Sequence, residues 1–214
     1  MKKHGGILVL VLLCMAMLSF GQQKVDLAAA LQDQKIDVVN RTLSLFESSR
    51  GAVEMDAAEG DGLGILKELE FKTGTIELEL LGENNPGRSF IGIAFNIEDK
   101  ESFEAIYFRP FNFVAKEPIR KDHMVQYINH PDNTWYRLRE ERTGEFENEI
   151  PSPPDPDGWF KAIIKVSEKG VEVFVDDKAE PVLKVERLCS FKSDKIGLWV
   201  GHGSSGRFRN LVLF

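Results

Sequence analysis

The sequence predicts an all-β protein built from antiparallel sheets, either a sandwich or a barrel. Ten short runs rich in β-branched and aromatic residues are separated by Gly, Asn, Asp and Pro, which is the pattern of strands joined by turns. Only one stretch, 25–34, favours a helix, so the crossover helices that a parallel sheet needs are missing. A length of 214 residues fits one large β domain with a substantial core.

The predicted strands follow one another along most of the chain. In order, they cover residues 51–55, 68–71, 75–81, 89–96, 103–109, 124–129, 160–166, 171–175, 195–200 and 208–214. The proline-rich stretch 151–158 is too stiff and too poor in backbone donors for a central strand, and we interpret it as a loop. Dividing the chain there would leave too few strands for a second core, so a single domain is favoured.

Alternation of apolar and polar residues assigns the faces of these strands. The run 75–81 places Ile76, Leu78 and Leu80 on one side, and the runs 160–166 and 171–175 alternate in the same way. In 195–200 the apolar set is Ile196, Leu198 and Val200. Trp199 therefore points to the opposite face, where we expect Gly197 and Gly201 to leave open space beside its ring.

The first 21 residues have the pattern of a secretory signal peptide. Two lysines precede the apolar run 7–18, and the segment ends in a small-x-small pattern at Ser19-Phe20-Gly21. The run is too short for a membrane anchor. The predicted organisation is a signal peptide (1–21), an N-terminal extension with a short helix (22–39) and one domain (40–214). The mature protein is expected to be secreted or periplasmic, without membrane attachment, and its one cysteine, Cys189, to be a free, mostly buried thiol.

The net charge argues against one class of partner, nucleic acid. The formal net charge is −7, and removal of 1–21 takes away two lysines and no acidic residue. An acidic protein of this kind lacks the concentrated basic surface that nucleic acid requires, so nucleic acid is not an expected partner. The sequence does not indicate an oligomeric state.

Four segments in the second half of the chain carry a resemblance to a known family. They are 158–166 (GWFKAIIKV), 171–177 (VEVFVDD), 195–201 (KIGLWVG) and 207–211 (RFRNL). The chain resembles concanavalin A-like (laminin G-like) jelly rolls, and within them it is most similar to the 3-keto-disaccharide hydrolase domain family. The resemblance covers residues 45–214 loosely and is specific only over about the last 90 residues. It implies two curved antiparallel sheets whose concave face meets carbohydrate.

Members of that family usually contain a short motif made of an acidic residue, Val, Gln, two aliphatic residues and Asp. Here the corresponding stretch is Met124-Val125-Gln126-Tyr127-Ile128-Asn129, in which the glutamine is kept and both acids are replaced. His202-Gly203 follows Leu198-Trp199 with one residue more than in the family. Catalysis would then depend on histidine as general acid or base, and the candidates are His202 and His130.

Sugar recognition requires aromatic rings that stack on C–H faces and side chains that donate to or accept from hydroxyls. The candidate ligand-binding residues of these types are Trp199, Arg109, Gln126, Tyr107, Asn112, Trp135 and Arg137. Trp159 is interpreted as structural. No zinc pattern occurs, because His123, His130 and His202 lack ligand spacing. No cofactor is predicted, although calcium remains conceivable through loop aspartates at positions 61, 155, 157 and 176.

Three functions remain open from the sequence. The first is an exported jelly-roll protein that binds a glycan or sugar derivative on its concave sheet. The second is an enzyme that processes 3-keto-disaccharides or related glycosides, and the third is a noncatalytic interaction domain. We take carbohydrate binding as the main hypothesis.

Overall fold

The computed structural model describes residues 21–214; the predicted signal peptide lies outside them except for Gly21. The strands are β1 (Gln23–Val25), β2 (Ile36–Val39), β3 (Leu43–Leu45), β4 (Val53–Met55), β5 (Gly62–Glu70), β6 (Gly74–Leu81), β7 (Ile91–Asp99), β8 (Ser102–Phe108), β9 (Val125–His130), β10 (Glu147–Asn148), β11 (Phe160–Val166), β12 (Gly170–Val175), β13 (Leu183–Glu186), β14 (Lys195–Val200) and β15 (Gly206–Leu213). The helices are α1 (Leu27–Gln32), α2 (Pro118–Lys121) and α3 (Trp135–Glu141), with a 3₁₀ turn at Pro110–Asn112.

The strands form two antiparallel sheets, which confirms the predicted β-sandwich. The eight-stranded sheet runs β13-β12-β11-β6-β15-β4-β3, with β1 also paired to β15. The seven-stranded sheet runs β10-β9-β8-β7-β14-β5-β2. Sequential neighbours are often not paired neighbours, as when β14 inserts between β7 and β5. This long-range pairing gives the sheet order of a jelly roll.

The apolar faces assigned from the sequence form the core between the sheets. Ile76, Ile164 and Leu198 have no exposed surface, and the rings of Phe108 and Phe160 meet across the two sheets at 5.1 Å. Burying side chains of this size contributes roughly 1.5–3 kcal/mol each. Packing between the sheets is therefore the main source of stability.

The segment 22–39, expected as an extension, is integral to the sandwich. β1 pairs with β15 in one sheet, and β2 pairs with β5 in the other. The expected short helix is α1, whose N-cap Asp26 accepts a hydrogen bond from the backbone N–H of Ala29. Residue 40 is thus not a structural boundary.

A buried ion pair closes one end of the sandwich. The carboxylate of Glu104 has no exposed surface and accepts from the Nε of Arg187 at 3.0 Å, from the hydroxyl of Tyr127 at 2.5 Å and from Asn96 at 2.8 Å. The half-buried thiol of Cys189 lies beside it, and burial, with Glu104 second, raises the pKa of Cys189 to about 12. These contacts fix the loop that follows β13.

No helix within residues 21–214 combines the length and apolar character needed to cross a membrane.

Candidate functional site

One row of side chains crosses the outer face of the seven-stranded sheet. Trp199 on β14 is opposite Gly92 on β7, Gly92 is opposite Tyr107 on β8, and Tyr107 is opposite Gln126 on β9. Glu147 on β10 continues the row. Because side chains of directly opposed residues share a face, all of these groups lie on the side away from the core.

Gly92 allows the two aromatic rings of this row to meet. A Cβ atom there would lie 2.0 Å from the carbonyl oxygen of Ile106, so no larger residue fits without rearrangement. Above Gly92, the ring centroids of Trp199 and Tyr107 are 4.9 Å apart, and the ring planes are inclined at 42° to each other. The pair forms an apolar floor on the outer face.

The segments that connect β8 to β9 and β9 to β10 form two walls beside this floor. The 3₁₀ turn after β8 supplies Phe111 and Asn112, and α2 supplies Arg120. Helix α3, capped by Thr134, supplies Trp135 and Arg139. Guanidinium contacts hold the first wall together, since Nε of Arg120 donates to Oδ1 of Asn112 at 3.2 Å and its Nη2 donates to the carbonyl of Phe111 at 3.1 Å.

Floor and walls enclose a cavity of about 600 Å³, within the usual range of small-molecule sites. Its lining combines aromatic rings, guanidinium groups, histidines and one carboxylate. The lining residues are Asp61, Phe90, Tyr107, Arg109, Phe111, Asn112, Arg120, His123, Ile128, His130, Thr134, Trp135, Arg139, Trp199, Gly201 and His202.

One end of the cavity is cationic. Here Arg139 makes a two-pronged contact with the carboxylate of Glu147, at 3.0 and 2.7 Å. Nδ1 of His123 lies 2.8 Å from the same carboxylate, and Nη1 of Arg109 lies 3.7 Å from it. Burial lowers the pKa of His123, which favours its neutral form, although Glu147 opposes the shift. We call Arg109, Arg120, Arg139 and His123 the arginine end.

Arg109 is tied into the floor. Its Nη2 donates to the hydroxyl oxygen of Tyr107 at 2.6 Å and to the side-chain oxygen of Gln126 at 2.5 Å, and the Tyr107 hydroxyl in turn lies 2.7 Å from that oxygen. Burial raises the pKa of Tyr107 to about 12, so the phenol stays protonated at neutral pH. The network fixes the Arg109 guanidinium at the cavity surface.

The opposite end holds an acid–base cluster. Oδ2 of Asp61 lies 3.8 Å from Nδ1 of His130, and His202 stands beside them, accepting from the backbone N–H of Gly60 at 3.0 Å. Burial raises the pKa of Asp61, while His130 opposes that shift most strongly among the neighbouring charges. Burial also lowers the pKa of His130, against the attraction of Asp61. The two pKa values move towards each other, which favours proton exchange within the pair.

The contact between Asp61 and His130 shows that the seven-stranded sheet is curved. Asp61 directly precedes β5 and His130 ends β9, and these strands are separated by β8, β7 and β14. Four strand spacings on a flat sheet would be about 19 Å, more than two side chains can bridge. The outer face is therefore curved inwards over the cavity.

Three polar atoms of the cavity residues have no well-aligned hydrogen-bond partner within residues 21–214. They are the indole Nε1 of Trp199, Nδ1 of His123 and Nε2 of His130, all buried. The Trp199 indole nevertheless faces Asp61 and helps to lower the pKa of that carboxyl, and Nδ1 of His123 lies 2.8 Å from Glu147. His130 is held in place by Phe103, whose ring stacks on it at 4.9 Å and 30°. A buried polar atom without a partner costs free energy, and a ligand that pairs with it recovers that cost.

The structure brings most of the predicted site residues together. Those that line the cavity are Trp199, Tyr107, Arg109, Asn112, Trp135, His130 and His202. Gln126 is 1% exposed because it lies in the same row beside Tyr107 and is covered by the start of α3, and there it supports Arg109. Arg137 lies outside the cavity: its Nε pairs with Glu141 at 2.9 Å, and its side chain is 54% exposed.

The expected surroundings of Trp199 need correction. The ring does lie on the face opposite Ile196, Leu198 and Val200, but it is only 3% exposed, although it lines the cavity. Neither flanking glycine leaves open space: a Cβ on Gly201 would touch Phe90 at 2.8 Å and the indole at 3.0 Å, and one on Gly197 would touch the β5 backbone at 2.9 Å. The glycines permit close packing.

Several cavity residues were not identified from the sequence as sugar-binding candidates. Phe90, Phe111, Arg120 and Arg139 come from turns and short helices, where no periodicity marks a face. Asp61 was considered only as a calcium ligand. A carboxylate directly before a glycine-rich strand was the available signal, because glycine in a strand often marks a close approach by another group. In the structure that group at Gly62 is the side chain of Arg41, whose Cγ would lie 2.3 Å from a Cβ there.

The aspartates considered for calcium do not assemble. Oδ1 of Asp157 accepts from the N–H of Asn84, and Oδ1 of Asp176 accepts from the N–H of Lys161, whereas Asp61 lies in the cavity. No group of three or more His, Cys, Asp or Glu side chains within residues 21–214 is arranged to hold a metal ion.

Solved structures similar to this chain share its fold. A carbohydrate binding module, CBM66 of Bacillus subtilis, aligns with a TM-score of 0.60 at 14% identity, covering 84% of this chain and 96% of the module. A Bacillus subtilis protein of unknown function with a galectin-like fold aligns at 0.58 and 11% identity, with 89% and 94% covered. The Emp46p carbohydrate recognition domain aligns at 0.56 and 13% identity, with 88% and 93% covered.

These similarities define the class of fold: a concanavalin A-like jelly roll, as the sequence resemblance implied. No protein-family model matches the sequence, and no curated protein matches it. The narrower resemblance to 3-keto-disaccharide hydrolases is not confirmed.

Proposed function

We propose that this protein is an exported carbohydrate-binding protein that holds a sugar in the cavity on the curved outer face of its seven-stranded sheet. The observation that carries the proposal is an aromatic floor flanked by polar groups at both ends, within about 600 Å³. Aromatic surfaces favour the C–H faces of a pyranose, and polar groups on either side reach its hydroxyls.

Trp135 supplies an exposed ring at the cavity wall. It is 46% exposed, stands at the start of α3 and carries the guanidinium of Arg139 over its ring at 5.2 Å. An exposed tryptophan beside a cavity can stack on a sugar that projects from it. Trp199 and Tyr107, by contrast, are 3% and 2% exposed and would present only a small apolar surface to the sugar, from the cavity floor.

Polar groups are available for directed hydrogen bonds. The indole N–H of Trp199, which faces Asp61, can donate to a hydroxyl, and the Asp61 carboxylate can accept from one. At the other end, Asn112 and Arg109 are held in fixed orientations by their protein contacts. Groups that are already oriented lose little entropy when a ligand binds.

The printed names of two similar structures agree with this proposal. CBM66 is a carbohydrate binding module and the Emp46p domain is a carbohydrate recognition domain. At 14% and 13% identity they share the fold, while the argument for sugar binding depends on the cavity of this chain.

The test is a glycan array with the mature chain from residue 22, followed by titration calorimetry of each hit with and without calcium. Trp135→Ala should weaken binding by about tenfold, the loss expected for one aromatic contact, with little change in stability. Trp159→Ala is the matched control, because Trp159 packs against Phe46 and Arg209 outside the cavity lining. An array without hits, or equal losses in both variants, would contradict the proposal.

A second candidate, an enzyme acting on 3-keto-disaccharides or related glycosides, is favoured by the Asp61–His130 pair. Nε2 of His130 is buried without a partner and can exchange a proton with a bound ligand. Incubation with 3-keto-disaccharides and chromatography of the products separates the two functions. Product that disappears in His130→Gln supports catalysis; saturable binding without product supports a binding protein.

A further inference from the structure

We infer that the sugar bound in this cavity carries an acidic group, a carboxylate or a sulfate, which lies against the arginine end. The inference rests on the proposed function and specifies its ligand class. It follows from the balance of charge in the cavity wall, taken residue by residue.

The lining contains three guanidinium groups and one carboxylate. Arg109, Arg120 and Arg139 converge at one end, whereas Asp61 lies at the other end beside His130 and His202. This excess of positive charge runs against the protein as a whole, whose formal net charge is −7. A cationic concentration in a cavity of an acidic protein indicates an anionic ligand group.

Glu147 compensates only part of this charge. It is 4% exposed and is shared between Arg139, which binds both of its oxygens, and Arg109, whose Nη1 is 3.7 Å away. One carboxylate therefore serves two guanidinium groups. His123 does not change the balance, since burial lowers its pKa and favours the neutral imidazole.

Arg120 remains without a strong ionic partner. Among residues 21–214, its one carboxylate partner is Glu117, 3.6 Å away with a side chain that is 61% exposed, and such surface pairs contribute little. Contacts with Asn112 and Phe111 hold the guanidinium at the cavity wall. A planar guanidinium held in this way can donate two parallel hydrogen bonds to the oxygens of a carboxylate or sulfate.

A neutral sugar would leave part of this charge uncompensated. Arg109 is 5% exposed, so few waters solvate its charge, and this burial lowers its pKa. An anionic oxygen placed between Arg109 and Arg120 would recover part of that cost. The hydroxyls of a neutral sugar recover less, because hydrogen bonds between a cation and a neutral acceptor are weaker than those between two charged groups.

The test compares matched sets of methyl glycosides by titration calorimetry. Each set contains a neutral hexose, its uronic acid and its 6-sulfate, in the gluco, galacto and manno series. At least one acidic member should bind about tenfold or more tightly than its neutral partner, the difference expected from one charge-assisted hydrogen bond. Preference for the uronic acid or for the sulfate identifies which acidic group is recognised.

Arg120→Gln is the informative variant, because Arg109 and Arg139 also neutralise the buried Glu147. It should remove most of the preference for the acidic sugar. The matched control is Arg142→Gln, since Arg142 also pairs with a surface glutamate three residues away and has similar exposure, 43% against 39%, but does not line the cavity. The control should retain the preference, and circular dichroism should show both variants folded.

The outcomes separate the two proposals. Equal or tighter binding of every neutral member, or an unchanged preference in Arg120→Gln, overturns the inference and leaves sugar binding standing. Failure of all members of all sets to bind overturns the inference as well, and sugar binding itself is overturned only if the glycan array also gives no hits.

Discussion

Replacing Trp199 by alanine tests how the cavity floor is built. The ring is 3% exposed and packs against Tyr107 at 4.9 Å. A buried tryptophan removes about 200 Å² from water, which at roughly 25 cal/mol per Å² gives an upper value of about 5 kcal/mol. Because one side of the ring borders the cavity, where water can enter, we expect Trp199→Ala to lose about 3–4 kcal/mol.

Urea unfolding followed by circular dichroism measures this loss. With a slope of about 2 kcal/mol per molar, the unfolding midpoint should fall by about 1.5–2 M. Trp135→Ala is the comparison, because its exposed ring should cost less than about 1 kcal/mol. A midpoint for Trp199→Ala within about 0.3 M of the parent would refute the packing described for the floor.

Three further predictions concern single positions. Cys189 should react slowly with thiol reagents at pH 8, because its pKa is raised to about 12, and rapid labelling of the native protein would be inconsistent with its burial. Gly92→Ala should destabilise the fold by more than about 2 kcal/mol, since its Cβ would meet the carbonyl of Ile106; an unchanged melting temperature would contradict the close pairing. Burial lowers the pKa of His130, so the unfolded state binds its proton more readily and stability should fall as the pH drops below about 6.5. His130→Gln should lose less unfolding free energy than the parent between pH 7.5 and 5.5, measured by urea titration, and an identical loss would exclude this contribution.

Strands that pair with a neighbouring strand on each side could be predicted well from the sequence. The bounds of β11 and β14 agree with the predicted runs 160–166 and 195–200. Both pair with a strand on each side and have one face in the core. Every second residue is therefore buried and apolar, and this alternation is visible in the sequence. The same regularity placed Trp199 on the correct face.

The strands that the sequence missed altogether lie at the borders of the sheets, whereas of the interior strand β5 (Gly62–Glu70) only the end, within the predicted run 68–71, was identified. β2 and β10 end the seven-stranded sheet, β3 and β13 end the eight-stranded sheet, and β1 joins only β15. Edge strands are short and have neighbours on one side only, so their sequences carry little alternation. Their position depends on hydrogen bonds to a sheet that must already exist.

The site was predicted as a set of residue types rather than as an arrangement. Floor residues on regular strands could be assigned to a face, but Arg137 could not be separated from Arg139 without knowing where α3 begins. Asp61 and His130 are distant in sequence and meet only because the sheet curves. Contacts of this kind depend on tertiary geometry, which no local pattern encodes.

The pairing of β1 with β15 has a practical consequence. Gln23 is opposite Leu213, so the described chain enters and leaves the fold side by side, on the eight-stranded sheet. The cavity opens on the other sheet. A tag, a linker or a solid support attached at either end would therefore leave the mouth of the cavity facing away from it, and the two ends could be joined by a short loop to give a circularly permuted protein with the same cavity.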